Sequence, residues 1–243
     1  MKTLTVKLMA VISTTLLGAC MSTTAIGAGA SWKEEVQLHD GQKIIAERYV
    51  QRGGRSEVGQ KGAYVAQSLS FTLPNRSHSI EWKDNFSEDI GSVSFLPMLL
   101  DVVGGTPYLV ARPMGCLSYN KWGRPNPPYV VFKHEANAWK RIALEELPLQ
   151  IKTPNLISSA PDLEVEKLGQ RVVSAQVIQQ LVANYKNPES KTILREPLPK
   201  ARIEAMCDEM VLYNGSWILP NDPVAKKFID SQNSRRLIES QKK

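Results

Sequence analysis

The chain has 243 residues and a formal net charge of +6 at neutral pH. This length is enough for one large domain or two small ones with a well-buried core. The positive charge is modest and spread along the chain, without the clustered basic face and interleaved aromatic residues of nucleic-acid-binding proteins, so no nucleic-acid partner is expected.

The first 19 residues have the pattern of a secretory signal peptide. Lys2 and Lys7 precede the uncharged run LMAVISTTLLGA at residues 8–19, which is too short to span a bilayer. The segment Leu17-Gly18-Ala19-Cys20 ends this run and resembles the lipobox of bacterial lipoproteins. The resemblance implies that Cys20 becomes the new N-terminus and carries a diacylglycerol and an acyl chain.

A second cleavage site competes with the lipobox. Ala28-Gly29-Ala30 is an A-x-A pattern, and cleavage there would release a soluble periplasmic protein that starts at Ser31. Cys20 directly follows the apolar run, whereas the A-x-A site lies ten residues further on, and this distance favours lipidation. Because Met21 replaces the Asp that retains such proteins at the inner membrane, the resemblance implies an outer-membrane protein that faces the periplasm. Residues 20–31 are then the lipidated cysteine and a flexible tether.

The remaining cysteines predict a disulfide bond. With Cys20 acylated, Cys116 and Cys207 are left in an oxidising compartment, where pairing is favoured. The alternative is two separate buried thiols that behave as small hydrophobic residues. These cysteines lie far apart in sequence with no histidine beside either, so no metal site is expected, and no cofactor.

The body of the chain, residues 32–220, predicts a single β-rich domain. Pairs of strand-like runs flank turn signals, which predicts hairpins. The turns are Asp40-Gly41, a Pro-Asn-Arg turn at 74–76, Gly104-Gly105, a polar turn within 128–144, and Asn214-Gly215. The predicted fold class is therefore mainly β, with antiparallel hairpins arranged in sandwich-like, barrel-like or propeller-like sheets.

Helix is predicted in two places. A small helical insert covers about residues 158–187, and a basic C-terminal helix or tail covers residues 221–243. The residues that start or stop these helices are Ser159, Gly169, Ser174, Pro188 and Asp222.

A proline-rich segment offers a candidate partner surface. Residues 120–128, NKWGRPNPP, contain too much proline for a central strand or a helix and predict a surface loop. Tyr119, Trp122 and Tyr129 lie in or beside this loop, and amphipathic aromatic side chains on a rigid loop make good contacts with a partner. The alternative is that these aromatic side chains cover the core.

The sequence contains no motif for a known reaction. There is no G-x-S-x-G, P-loop or G-x-G-x-x-G pattern, and the three histidines lack metal-binding spacing. No catalytic residue is therefore predicted, and the balance leans against an enzyme. The densest acidic group, formed by Asp84, Glu88 and Asp89, offers the two carboxylates that a glycan hydrolase needs.

One short segment resembles a structural turn motif. Residues 87–95, SEDIGSVSF, are similar to the Asp-box of sialidases and related β-propellers. The resemblance implies a hairpin turn in which the Asp89 carboxylate binds turn amides, Gly91 supplies an unusual dihedral angle and Phe95 packs into the sheet. It implies a folded turn and no sialidase activity.

The rest of the body resembles uncharacterised envelope proteins of proteobacteria, through LLDVVGGTPYLVA and NKWGRPNPPYVVFK. This resemblance implies no particular activity. The sequence therefore predicts a lipoprotein of the outer membrane, attached through Cys20, with a binding or structural role toward an envelope protein or polymer. A periplasmic hydrolase that acts on glycan through acidic residues near 84–89 is the alternative.

Overall fold

The structure is a computed structural model and describes residues 29–54, 61–74, 76–227 and 229–231. The predicted signal peptide and the lipobox with Cys20 lie outside these ranges, as do the residues after 231. Among the described helices, none has the length and apolar character needed to cross a membrane.

Strands make up most of the regular structure. They are β1 (Ala30–Gln37), β2 (Lys43–Gly53), β3 (Ala63–Phe71), β4 (Ile80–Asn85), β5 (Phe95–Val103), β6 (Thr106–Pro113), β7 (Val130–Glu135), β8 (Ala138–Ile142), β9 (Val172–Val173), β10 (Val211–Tyr213) and β11 (Ser216–Ile218). The first sheet has the order β4-β3-β2-β1-β9, the second has the order β5-β6-β7-β8, and β10 pairs with β11. Neighbouring strands run antiparallel except β1 and β9, which are parallel.

The predicted mainly β fold with antiparallel hairpins is confirmed. Each of the five turn signals joins two paired strands, from β1–β2 to β10–β11. Gly104 and Gly105 have φ angles of +57° and +75°, and Asn214 and Gly215 have φ angles of +49° and +79°. Two successive left-handed residues match the twist of a tight hairpin, which explains why Gly and Asn occupy these positions.

The two main sheets pack face to face as a sandwich. Val36, Leu69 and Trp82 of the first sheet share one buried cluster with Leu109 and Phe132 of the second. The ring centroids of Trp82 and Phe132 are 6.1 Å apart across the interface. Among the described strands, both sheets are open at their edges, so the sandwich is the arrangement adopted among those predicted.

The second sheet is buried on both faces. Met98, Val110 and Val131 on its outer face pack against Leu147 and Ile193 from the segments that follow β8 and α4. This double burial explains why β5 and β6 are nearly continuous apolar runs, whereas the first sheet alternates polar and apolar side chains.

Short helices surround the sandwich. They are α1 (Gly115–Lys121), α2 (Pro161–Leu168), α3 (Ala175–Ala183), α4 (Pro188–Lys191) and α5 (Lys200–Met206), and residues 223–227 and 229–231 are also helical. The helical insert and the C-terminal helix are thus present. The Ser174 hydroxyl accepts a hydrogen bond from the Val177 amide, and the Asp222 carboxylate accepts from the Val224 and Ala225 amides, as expected for N-caps.

Two local predictions need correction, and two helices are present that the sequence does not predict. Ala160, with φ +43°, is the N-cap of α2 in place of Ser159, because the Ala160 carbonyl accepts from the Leu163 and Glu164 amides. Ala30 and Ser31 belong to β1 and pair with Val50 and Tyr49, so the strand includes the last residues of the predicted tether. Helices α1 and α5 were not predicted, since a helix of seven residues depends on tertiary contacts more than on propensity.

A buried polar contact fixes α2 to the first sheet. The Arg52 guanidinium in β2 donates from Nε and Nη2 to the two carboxylate oxygens of Asp162, at 2.7 and 2.9 Å. The Tyr64 hydroxyl in β3 donates to the same carboxylate. Burial by itself raises the pKa of Asp162, but the hydrogen bonds from Arg52 and Tyr64 outweigh it and lower the pKa below its ordinary value of 3.8.

Replacing the Asp162 carboxylate is expected to destabilise the protein only at pH values at which this carboxylate is ionised. Asp162→Asn should lower the free energy of unfolding by about 2 kcal/mol at neutral pH. Because the folded-state pKa is depressed, the stability supplied by Asp162 is present above the unfolded pKa and is lost as pH falls through the folded pKa. Urea unfolding of both proteins at neutral pH and at about pH 3 measures the difference, which should shrink in acid.

A matched control lies on the same helix. Glu166 pairs with Lys61 at 2.7 Å, but both side chains are largely exposed, so Glu166→Gln should have almost no effect at either pH. A difference for Asp162→Asn that is equally large in acid would show that the carboxylate charge does not stabilise the docking of α2.

Candidate functional site

The three aromatic side chains predicted as a partner surface lie in the interior. Tyr119 and Tyr129 are only 2% and 3% exposed. Trp122 is partly buried and packs on the core, with its ring centroid 4.5 Å from that of Phe95. The predicted partner surface is therefore wrong, because burying these rings stabilises the core and leaves little aromatic surface for a partner.

The proline-rich loop instead binds the chain's own C-terminal segment. The Asn126 side chain exchanges two hydrogen bonds with the backbone of Leu198, at 2.9 and 2.7 Å. The Arg124 guanidinium donates to the carbonyl oxygens of Cys207 and Asp208 at 2.9 and 2.7 Å. The polar groups of residues 120–128 thus hold the segment that contains α5.

A disulfide joins the same two parts of the molecule. Cys116, at the start of α1, is bonded to Cys207, at the end of α5, with a Cα–Cα distance of 5.4 Å and a sequence separation of 91. The Cys116–Cys207 bond and the hydrogen bonds of the loop together fix α5 beside α1.

A cavity of about 370 Å³ lies next to this disulfide. Its lining includes Arg112 from β6, Tyr119 from α1, Glu189 from α4 and Arg202 from α5, together with both cysteines. This volume falls within the range of small-molecule sites, and about half of the lining of the disulfide-side cavity is polar.

Glu189 is the least accessible charged group of the disulfide-side cavity. Its side chain is 3% exposed, and its Oε1 accepts from Nη2 of Arg202 at 3.1 Å. Its Oε2 has no hydrogen-bond partner among the described residues. A buried carboxylate oxygen without a donor is uncommon and requires an explanation.

Two other groups of the disulfide-side cavity also have unused hydrogen-bonding capacity. The Tyr119 hydroxyl has no partner among the described residues, and burial raises the pKa of this phenol, so it stays protonated. The Arg112 guanidinium donates from Nη1 to the Ser190 hydroxyl and makes no ion pair with a described carboxylate. Beside the disulfide-side cavity the structure therefore has two buried polar atoms without a described partner, Oε2 of Glu189 and the Tyr119 hydroxyl.

A second concave region lies on the outer face of the first sheet. Two adjoining grooves of about 370 and 740 Å³ share Lys33, Glu47, Ser70 and Val172. Lys33 and Glu47 are exposed and pair with each other at 2.7 Å. These two charges neutralise each other, whereas the disulfide-side cavity borders a buried carboxylate oxygen without a described partner and is the better candidate site.

The acidic residues predicted for the hydrolase alternative occupy different environments. Asp84 is buried, and its Oδ2 accepts from the Ser94 and Phe95 amides at 2.9 and 2.8 Å and from the Gln67 side chain at 3.0 Å. Burial raises the pKa of Asp84, and these hydrogen bonds offset part of the effect. Asp84 therefore holds the crossing from β4 to β5, while Glu88 is exposed.

Residues 87–92 form the turn that the Asp-box resemblance implies, although one contact differs. The Ser87 carbonyl accepts from the Ile90 and Gly91 amides, Gly91 has φ +69°, and Phe95 is buried in the core. The Asp89 carboxylate accepts from the Lys121 ammonium and the Ser87 hydroxyl, and the Lys121 hydrogen bond lowers the pKa of Asp89. The predicted contact between Asp89 and turn amides is therefore replaced by side-chain contacts to Ser87 and α1.

The residues that define the disulfide-side cavity were not found from the sequence. Arg112, Glu189 and Arg202 belong to no motif and come from three separate elements. The sequence pointed to this region only through the pair of cysteines at its edge and through Tyr119, one of the predicted partner-surface residues. Within the described residues, no group of three or more His, Cys, Asp or Glu is placed to hold a metal ion.

Comparison with known proteins finds no family model, no curated protein and no solved structure that matches this chain.

Proposed function

We propose that the protein is an exported lipoprotein, anchored to the outer membrane through Cys20, whose β-sandwich faces the periplasm and has a binding or structural role in the envelope. The positions of the three cysteines and the pairing of two of them support this proposal. Of the three cysteines in the chain, two form the Cys116–Cys207 disulfide, and the third ends the LGAC segment directly after the apolar run. Disulfides persist in oxidising compartments such as the periplasm, which supports export.

The position of the folded domain agrees with a short anchor. Because β1 starts at Ala30, residues 21–29 link Cys20 to the sandwich. These residues are mostly Thr, Ser, Gly and Ala, and fully extended they reach about 30 Å. The sandwich would therefore work close to the membrane surface.

The lipid group determines how permanent such an anchor is. Each buried CH₂ of an acyl chain contributes about 0.8 kcal/mol to membrane binding, so several chains on one cysteine hold a protein on the membrane stably. A binding role is favoured over catalysis because the disulfide-side cavity supplies charged and hydrogen-bonding groups, while Asp84 is committed to backbone contacts.

The mass of the mature protein tests the anchor. The protein extracted from the membrane fraction should have the mass of residues 20–243 plus acyl chains, and reduction should add the mass of two hydrogen atoms for the one disulfide. Intact-protein mass spectrometry with and without reductant measures both quantities.

Cys20→Ala is the matched control, since it removes the lipidation site and leaves the disulfide unchanged. The variant should lose the acyl mass and leave the membrane fraction on washing with alkaline carbonate. A wild-type product that is soluble and starts at Ser31 would contradict the lipoprotein proposal and leave a soluble periplasmic protein.

A further inference from the structure

The C-terminal part of the chain contains an apolar groove that is open to solvent. The groove has a volume of about 480 Å³ and lies between the β10–β11 hairpin and the helical residues that begin at 223. Its lining is mostly apolar and includes Trp217, Ile218, Leu219 and Val224. Leu219 and Val224 are 38% and 76% exposed. Adjoining apolar side chains with this much exposure mark a surface for a partner or a membrane.

Two lysines border this groove. Lys226 and Lys227 follow Val224 in the same helix, and both are exposed. Among the described residues, Asp222 is the carboxylate that lines the groove, and it accepts hydrogen bonds from the Val224 and Ala225 amides. Its negative charge is therefore directed at the start of the helix. We call the groove together with the two lysines the C-terminal patch.

The distribution of charge along the chain indicates what the C-terminal patch contacts. Residues 20–223 contain 22 basic and 22 acidic residues, whereas residues 224–243 contain six basic and two acidic residues. The net positive charge of the predicted mature chain is thus carried by the segment that starts at the patch. Apolar side chains beside basic ones suit an anionic membrane surface, which takes up the former and attracts the latter. A polar polymer would contact the lysines but would leave Leu219 and Val224 in water.

The C-terminal patch is attached to the end of the sandwich from which the link to Cys20 leaves. Strand β1 starts at this end, where the register across the first sheet connects Ala30, Val50, Gln67 and Asp84. The turn that follows β4 lies at the same end, and its Asp89 carbonyl oxygen accepts a hydrogen bond from Nε1 of Trp217 at 2.8 Å. A lipid on Cys20 would therefore hold this end of the sandwich near the membrane.

We propose that the C-terminal patch is a second membrane contact, which docks on an anionic phospholipid surface. Leu219 and Val224 enter the interface, and the ammonium groups of Lys226 and Lys227 contact lipid phosphates. The placement of the patch at the membrane rests on the proposed lipid anchor, whereas its affinity for lipid does not need Cys20. The two proposals can therefore fail separately, since the mass of the mature protein tests the anchor and lipid binding by a protein without acyl chains tests the patch.

Vesicle binding by the non-acylated protein tests the proposal. The protein is the predicted mature chain, residues 20–243 with Cys20→Ala, produced with its disulfide formed. Cosedimentation compares vesicles of phosphatidylcholine alone with vesicles that contain about one third phosphatidylglycerol. Binding to the anionic vesicles should be roughly tenfold tighter or more, and raising the ionic strength from about 0.05 M to about 0.5 M should weaken it, because salt screens the lysines.

Two variants and two matched controls locate the binding. Lys226→Gln combined with Lys227→Gln should weaken binding to anionic vesicles roughly tenfold or more, and Val224→Ser should weaken it roughly threefold or more. The controls remove the same groups from exposed positions outside the patch and should leave binding unchanged. They are Lys140→Gln combined with Lys152→Gln, and Leu149→Ser, whose leucine is 73% exposed.

Circular dichroism verifies that each variant is folded, and the comparisons of lipid composition and salt need no variant. The proposal is overturned if the protein does not bind anionic vesicles, if it binds both kinds of vesicle equally well, or if both folded patch variants keep full affinity. Dimers that form without vesicle binding and are lost in Val224→Ser would assign the surface to a second copy of the chain and would also overturn it.

Discussion

Replacing both Cys116 and Cys207 with serine is expected to lower the free energy of unfolding by about 4.5 kcal/mol. The disulfide closes a loop across 91 residues of sequence, so its loss frees a long stretch of the unfolded chain. Hydrogen bonds from Asn126 and Arg124 still hold the α5 segment in the folded variant, and the effect therefore arises mainly in the unfolded state. Urea unfolding monitored by tryptophan fluorescence measures the change.

The first cysteine supplies the control for this experiment. Cys20 takes no part in the Cys116–Cys207 disulfide, so Cys20→Ser should leave the free energy of unfolding unchanged. Adding reductant to the wild-type protein should reproduce the stability of the double variant. A loss below about 1 kcal/mol would mean that the disulfide contributes little beyond the contacts of the proline-rich loop.

The second large effect is expected at a buried ion pair in the first sheet. Glu34 in β1 and Arg48 in β2 are both buried inside the molecule. Nη1 of Arg48 donates to Oε1 of Glu34 at 3.1 Å. The same carboxylate accepts from the Trp32 indole at 2.7 Å and from the Ile157 amide at 3.1 Å. Glu34→Ala should lower the free energy of unfolding by about 4 kcal/mol, because it leaves the Arg48 charge buried without a partner.

Removing both charges should cost less than removing one. In the double variant Glu34→Met and Arg48→Met, no unpaired charge remains, so part of the lost stability should return. The rest should stay lost, because the buried Trp32 indole and Ile157 amide still lack their acceptor. Glu47→Gln is the matched control, since Glu47 pairs with Lys33 on the exposed face of the same strands. This variant should lower the free energy of unfolding by less than about 1 kcal/mol. Equilibrium unfolding of the four proteins provides the comparison. A double variant as unstable as Glu34→Ala would show that the lost hydrogen bonds and packing of Glu34, and not the unpaired charge of Arg48, set the cost.

Both effects depend on contacts between segments that are distant in sequence. Glu34 is tied to Ile157, which precedes the helical insert, and Cys116 is tied to Cys207 beyond it. Together with the Arg52–Asp162 contact, these links attach the helices to the sandwich that the hairpins form.

The strands and their turns were predictable because their signals are local. Alternating side chains in β1 to β4 and paired turn residues such as Asn214-Gly215 act within a few residues of where they occur. The same holds for α2, which runs from Pro161 to its C-cap Gly169, and for α3 with its Ser174 cap. By contrast, α1 and α5 are too short for their sequences to reveal them, and the disulfide and loop contacts fix their positions.

The local sequence could not decide whether the three aromatic side chains are exposed or buried. Tyr119, Trp122 and Tyr129 beside a proline-rich loop have the same sequence pattern whether they face a partner or the core. The structure buries them because Phe95 and the backbone after α4 supply matching contacts. No local pattern encodes those contacts, since they come from elements far along the chain.

The sequence by itself determined the class of fold, the hairpins, the main helical insert and the pairing of Cys116 with Cys207, since each depends on neighbouring residues or on counting. Only the tertiary structure decided that the sheets form a sandwich and that the loop at 120–128 binds the chain itself. It also decided that Arg112, Glu189 and Arg202 meet at one cavity. These features depend on which distant surfaces pack together, and that choice is set by the whole core and not by any single segment.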